Sequence, residues 1–317
     1  MTSGEPAAPP FRCSAASESR DEPLAGSAST VRAFLLLEHP GPWGVVALRD
    51  ARLPDGVGRS LRAAAAETGV RVLLIRRPGR ARGAASAGHR VFAVSARAQQ
   101  PWVETTLVDD PAELVDLDLA DLRAGASLGL TPHEEPLFCV CTHGRHDACC
   151  AERGRPVAAA LAQTYPEQTW EISHLGGDRF AANMLVAPDG FYYGRLTPES
   201  AVAVAERRLA GHVELDHLRG RTGYAMSVQA AEIALRQQLG VTRIGGVRAT
   251  GRHVRGEVSE VTLEVAGHEA GEGGEATAPA TYAVRVHTTQ TDPTLLTCRA
   301  ARANAAIDHE VLDIRRL

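Results

Sequence analysis

Residues 136–165 read PLFCVCTHGRHDACCAERGRPVAAALAQTY. The apolar start, PLFCVCTHG (136–144), predicts a strand running into a loop. GRPVAAALAQTY (154–165) predicts a helix: Pro156 suits a first helical turn, whose N–H needs no partner, and the alanines have high helix propensity. Cys139 and Cys141 stand in the first stretch and Cys149 and Cys150 between the two, four of the six cysteines of the chain, with His143, His146 and Asp147 among them. Thiols and imidazoles crowded into one strand-to-helix connection are the ligands of soft and borderline metals.

Downstream, QTWEISHLGG (168–177) predicts a strand and a turn. NMLVAPDGFYYGRL (183–196) predicts two short strands split by the turn signal PDG. TPESAVAVAERRLAG (197–211) predicts a helix. The order β-α-β-β-β-α over residues 129–220 fits an open α/β layer fold of thioredoxin type, although periodicity alone does not select it. Upstream, residues 30–128 read as a smaller α/β unit. Its strands are VRAFLLLEH (31–39), VRVLLIRR (70–77), HRVFAVSA (89–96) and WVETTLV (102–108), with a helix at 57–69 and an acidic boundary at 109–122. Residues 221–317 read as a helix ending at Gly240, then β-rich chain around the acidic, glycine-rich HEAGEGGEA (268–276). Residues 1–29 read as loosely ordered. No internal repeat is evident.

Composition narrows the function. The chain has 317 residues and a net charge of -4, which argues against a general nucleic-acid binder. With only six Phe and five Tyr, the core has to be built largely from Ala, Val and Leu. No run of 18 apolar residues predicts a membrane span, and the N-terminus lacks the pattern of a secretory signal. A cytoplasmic protein is expected. In a reducing compartment a tight cysteine group reads as metal-binding or redox-active before it reads as disulfide-linked.

A second chemical stretch is SHLGGDRF (173–180), with three residues between His174 and Asp178. Loops at the same ends of neighbouring strands converge, so both stretches can face one site. Two thiolates with one or two harder ligands fit Zn²⁺ or a [2Fe–2S] cluster. A C-x₈-C loop is long for one corner of a zinc site, and the glycines let the backbone approach closely.

The chain resembles the sucrase/ferredoxin-like family, thioredoxin-like ferredoxins related to a yeast actin-patch-associated protein. The residues that carry the resemblance are FRCSAASESRDEPLAGSA (11–28), LLLEHPGPWG (35–44), VCTHGRHDACCAERGRPVA (140–158), WEISHLGGDRFAANMLVAPDGFYYGRL (170–196) and LRGRTGYA (218–225). It implies a thioredoxin-like domain that binds a [2Fe–2S] cluster through C-x₈-C and H-x₃-H; despite the name, it implies no sucrose hydrolysis. Cys141, Cys150 and His174 match three of those ligands. The fourth position holds Asp178 instead of histidine. Three readings stay open. Asp178 ligates iron; another group such as Cys149, Cys139, His143 or water completes the site; or the cluster has been lost.

Around that set, His143, Asp147, Cys149 and Arg179 are candidates for an outer layer that tunes the ligands, with Arg179 a possible partner of Asp178. Cys139 reads as buried packing, Cys298 as strand packing, and Cys13 has no assigned role. Trp43 in PGPWG (40–44) reads either as a lip beside the cluster or as a packed turn residue. The basic RRPGRARG (76–83) reads either as a docking loop or as a solvated one. No phosphate loop, dinucleotide fingerprint or Ser-His-Asp set is present. The expected function is a soluble one-electron carrier, more a carrier than a stand-alone enzyme, between a reductase and an unidentified acceptor. The alternatives are a thiol–disulfide oxidoreductase, which the missing C-x-x-C opposes, and a zinc-binding or cluster-less scaffold.

Overall fold

A computed structural model describes residues 10–79, 88–267 and 278–317. HEAGEGGEA, residues 80–83 of the basic run and residues 1–9 lie outside the described residues. The chain opens with helix α1 (Cys13–Glu18), then enters strand β1 (Ala33–Glu38). Every residue of β1 is buried, as in a strand covered on both faces. Helices α2 (Ala47–Asp50) and α3 (Val57–Thr68) lead to β2 (Arg71–Arg76), which runs parallel to β1. The antiparallel β3 (His89–Ser95) and β4 (Trp102–Val108) follow, then α4 (Leu119–Ala124) and the two-residue β5 (Thr131–Pro132).

The pattern then recurs. Strand β6 (Leu137–Cys141), helix α5 (Ala148–Thr164) and the parallel strand β7 (Thr169–Ile172) make a second crossover. The hairpin β8 (Met184–Ala187) and β9 (Phe191–Tyr193) follows, then helix α6 (Pro198–Leu209) and edge strand β10 (Leu218–Arg221). Among the described residues these strands form one sheet in the order β10-β9-β8-β6-β7-β2-β1-β3-β4-β5. Each half therefore has a thioredoxin-type arrangement, a parallel crossover flanked by a hairpin. The halves join edge to edge where β2 and β7 pair antiparallel through Ile75–Ile172 and Arg76–Glu171. This repeat of topology is invisible in the sequence because strand order and layering do not require identical side chains.

Alternate strand residues serve opposite faces. Leu35, Leu37 and Leu74 pack against α3 and α4, while Phe138, Val140 and Met184 pack against α5 and α6. The other face is shared: Phe34, Leu36 and Phe92 from one half meet Cys139, Trp170 and Tyr192 from the other. Phe92 and Trp170 stand edge to face at 5.5 Å although two strands separate β3 from β7, so the sheet curls until its halves face each other.

The C-terminal part is helix α7 (Met226–Leu239) against an antiparallel sheet of β11 (Val247–Arg255), β12 (Val258–Val265), β13 (Ala280–Gln290) and β14 (Ile307–Arg316). Val261, Leu263, Val284 and Val286 give that sheet its apolar face, which packs on Ala231 and Leu235 of the helix. Among the described residues no helix is long and apolar enough to cross a membrane.

Three expectations change. Helix α5 begins at Ala148, six residues ahead of Gly154, and runs through Pro156. Its start signal is Asp147, an N-cap whose Oδ1 accepts the Cys149 N–H at 2.9 Å. Residues 10–29 are ordered where described: Cys13, Ser14 and Ser17 are buried, and ion pairs Arg12–Glu152 and Arg153–Glu18 clamp α1 to α5. Cys298 lies in a turn between β13 and β14, not in a strand.

Candidate metal centre

Cys141 ends β6, and the loop 142–146 carries the chain to the Asp147 cap and the first turn of α5, where Cys150 sits. The helix lies close against the strand because residue 154 is glycine: a Cβ there would meet the Cys141 carbonyl oxygen at 2.1 Å. His174 follows the end of β7. Gly176 and Gly177, at φ 96° and 77°, then turn the chain into a 3₁₀ turn that starts at Asp178. A Cβ on Gly177 would sit 2.3 Å from Arg219 Nη2, so glycine answers both the backbone angle and the crowding.

Two arginines brace this turn. Arg71 donates to the carbonyls of His174 at 2.7 Å and Leu175 at 2.8 Å. The buried Arg219 donates to Gly176 O at 3.0 Å and Asn183 Oδ1 at 2.8 Å, and burial lowers its pKa to about 10. The carbonyls of a tight loop are satisfied in this way without water.

Donor atoms of Cys141, Cys150 and His174 all lie within 4.8 Å of one another, and so do those of His146, His174 and Asp178. Cys150 Sγ donates to Asp178 Oδ1 at 3.2 Å. His174 Nδ1 is 2.9 Å from the same oxygen, yet it is buried without an aligned hydrogen bond. The thiols and Asp178 are buried, while the His174 and His146 side chains are 26% and 33% exposed and form the open edge of the group.

The electrostatics follow from that packing. The hydrogen bond from Cys150, with His174 nearby, draws the Cys141 pKa well below the ordinary thiol range despite burial. Cys150, bonded to Cys141, buried and facing Asp178, is pushed well above it. Burial disfavours the His174 imidazolium, but Asp178 and Cys141 outweigh it and raise its pKa to about 9. Burial raises the Asp178 pKa, His174 lowers it, and the net direction is down.

The four residues expected as ligands are thus brought together. The outer layer divides. The His143 ring donates from Nε2 to Gly44 O at 2.8 Å and accepts the His174 N–H at Nδ1, 3.3 Å away. Its backbone N–H, not its ring, serves the Cys141 sulfur. Trp43 is buried and packs edge-on against His143 at 5.6 Å, which puts PGPWG beside the site. Arg179 does not pair with Asp178; its Nε meets Glu22. Cys149 and Asp147 turn away from Cys141 and gather with Cys13 and Cys298. Cys139 is core packing.

Sequence reasoning missed His146. Its ring stacks on His174 with centroids 3.8 Å apart. Its Nδ1 donates to Val45 O at 3.2 Å, which leaves Nε2 facing Asp178 Oδ2 at 4.0 Å. The available signal was its place one residue before a helix cap, where a side chain overhangs the first turn.

Among curated proteins and among solved structures nothing matches the chain. The family model described as sucrase/ferredoxin-like matches residues 24–220, from the segment before β1 to β10, and so contains both ligand loops. The chain belongs to the sucrase/ferredoxin-like family.

Proposed function

We propose that the protein is a one-electron carrier whose [2Fe–2S] cluster is held by Cys141, Cys150, His174 and Asp178. The observation that carries this reading is the convergence of two buried thiols, an imidazole and a carboxylate from two loops, beneath an exposed imidazole edge. The donors fit the group in type, since iron–sulfur centres accept thiolate together with imidazole. His174 Nδ1, buried without an aligned partner, is a nitrogen presented to a ligand. When bound, the cluster supplies a one-electron Fe(III)/Fe(II) couple.

The chain's own residues would do the rest. Buried Cys141 and Cys150 keep the ligand sulfurs from solvent. His143 fixes the backbone of His174, and Val45 O fixes the His146 ring. The two imidazoles form the edge that a reductase or an acceptor protein can approach, with the half-exposed Val45 and Val46 beside them. A cytoplasmic, reducing setting suits six cysteines that are all free. Thiol–disulfide exchange is disfavoured, because an attacking sulfur needs access and Cys141 and Cys150 are each 1% exposed.

A second reading is a single tetrahedral Zn²⁺ at the same residues. It is favoured by the close approach of the donors, since Cys141, Cys150 and His174 lie within 4.8 Å of one another and Asp178 Oδ1 is 3.2 Å from Cys150 Sγ. Anaerobic isolation decides between them. Iron and acid-labile sulfide in equal amounts, visible charge-transfer bands and a paramagnetic signal after dithionite are expected. A colourless protein that holds zinc and no sulfide overturns the electron-carrier reading.

A further inference from the structure

Cys149 and Cys150 are consecutive, yet they serve different neighbourhoods. Cys149 faces Cys13 of α1 and Cys298 of the turn after β13, with Asp147 closing the group, and the four donors lie within 4.8 Å of one another. The Cys149 and Cys298 sulfurs are 3.3 Å apart, and those of Cys298 and Cys13 are 3.6 Å apart. Both carboxylate oxygens of Asp147 are 3.6 Å from Cys13 Sγ. A tetrahedral zinc site with Zn–S bonds near 2.3 Å has sulfur–sulfur edges of about 3.8 Å. The observed spacings contract that tetrahedron only slightly.

The surroundings are those of a ligand set. Ser14 Oγ donates to Cys149 Sγ at 3.2 Å, and the Cys13 N–H donates to Cys298 Sγ at 3.5 Å, so two sulfurs already receive outer hydrogen bonds. Asp147 is oriented through both oxygens, by the N–H groups of Cys149 at 2.9 Å and Cys298 at 2.6 Å, and carboxylate lone pairs remain for a cation. Cys13, Asp147 and Cys149 are buried, whereas Cys298 opens onto a cleft of about 330 Å³ lined by Arg12, Arg145 and Arg299. That cleft is the path of entry. Arg145 and Arg299 at its mouth offset part of the negative charge that three thiolates and a carboxylate retain around a divalent ion, while Arg12 is paired with Glu152.

We propose that Cys13, Cys149, Cys298 and Asp147 form a second metal site, a structural Zn²⁺ site that pins the N-terminal segment and the C-terminal extension to the start of α5. Its ligands come from three separate parts of the chain, with Cys13 and Asp147 134 positions apart and Cys149 and Cys298 149 positions apart. No short cysteine hook announces it. Closed sites with four protein ligands are the structural kind.

The test uses the full chain and a Cys141→Ser/Cys150→Ser variant, which removes the first site's thiolates. Both are purified under reductant, equilibrated with zinc, dialysed and analysed for metal. A single tightly held equivalent of zinc in the double variant is expected. Cobalt substitution of that variant should give thiolate-to-cobalt charge-transfer bands, and adding Cys298→Ser should abolish them. Since Cys298 sits in a surface turn, Cys298→Ser alone in the full chain should lower the tightly bound zinc by one equivalent. The same change should leave any iron and sulfide at the first site untouched. Absence of zinc and of cobalt bands in a folded double variant overturns the proposal. So does a full chain whose zinc is unchanged by Cys298→Ser, or a Cys149–Cys298 disulfide in protein isolated anaerobically under reductant. The first site's iron content is read separately, so failure of the electron-carrier reading and failure of this site are distinguishable.

Discussion

At the scale of single residues the decisive group is Asp178, a carboxylate where the family pattern has histidine. It is buried and touches both a thiol and an imidazole. Asp178→Ala should therefore abolish iron retention, measured as iron per chain after anaerobic gel filtration. His146→Ala should retain iron and shift the redox potential, since that ring stacks on His174 from the exposed side. In metal-free protein His174 should titrate near 9. The sign follows from the direction of the shift. An imidazolium with a raised pKa adds stability in full below its ordinary value of about 6.5, and that stability is lost as pH rises through the folded value. Asp178 is depressed, so its share disappears at the acid end. In Asp178→Asn the largest counterweight to burial is gone, and the His174 resonance should move well toward acid pH in an NMR titration. A His174 pKa unmoved by Asp178→Asn would remove the pair from the account.

At the scale of elements, the start of α5 organises both ligand groups. Successive helical residues point about 100° apart. Cys149 and Cys150 therefore leave the helix start in different directions, and each joins its own group, Cys149 with Cys13 and Cys298 and Cys150 with Cys141 and His174. The strands were legible because apolar, β-branched runs bounded by Gly and Pro leave little choice, as VRVLLIRR does. The start of α5 was not, because Pro156 looked like a first-turn proline and the working cap was Asp147. His146 and the Cys13–Cys298 contact were illegible for another reason: both depend on how loops from distant parts of the chain meet. The helix–strand contact makes its own prediction. Gly154→Ala places a methyl against the Cys141 carbonyl and should cost roughly 1–3 kcal/mol by urea denaturation, the usual range for overpacking. It should also weaken metal retention, because relief of the clash moves α5, with Cys150, away from β6.

At the scale of the whole molecule, the C-terminal sheet touches the family-matched part partly through the turn that holds Cys298. Hydrogen exchange should reveal this coupling. Chelator treatment of the reduced Cys141→Ser/Cys150→Ser variant should speed exchange in α1 and in residues 291–306, with β6 and β7 little changed. Uniform protection before and after chelation would separate the extension from the metal chemistry.

The seam between the halves has a consequence for solubility. A thioredoxin-type unit on its own leaves the strand at the end of its crossover as an open edge, an unpaired row of N–H and C=O groups that can recruit another chain. Here β2 and β7 are those strands, and they pair through Ile75–Ile172 and Arg76–Glu171, so each covers part of the other. The curled sheet is left with two outer strands. One is β5, two residues long and ended by Pro132; the other is β10, whose residues are all buried and which packs against α7. The seam thus shields part of the two edges most open to strand addition, and a chain cut between the halves would expose both of them to aggregation.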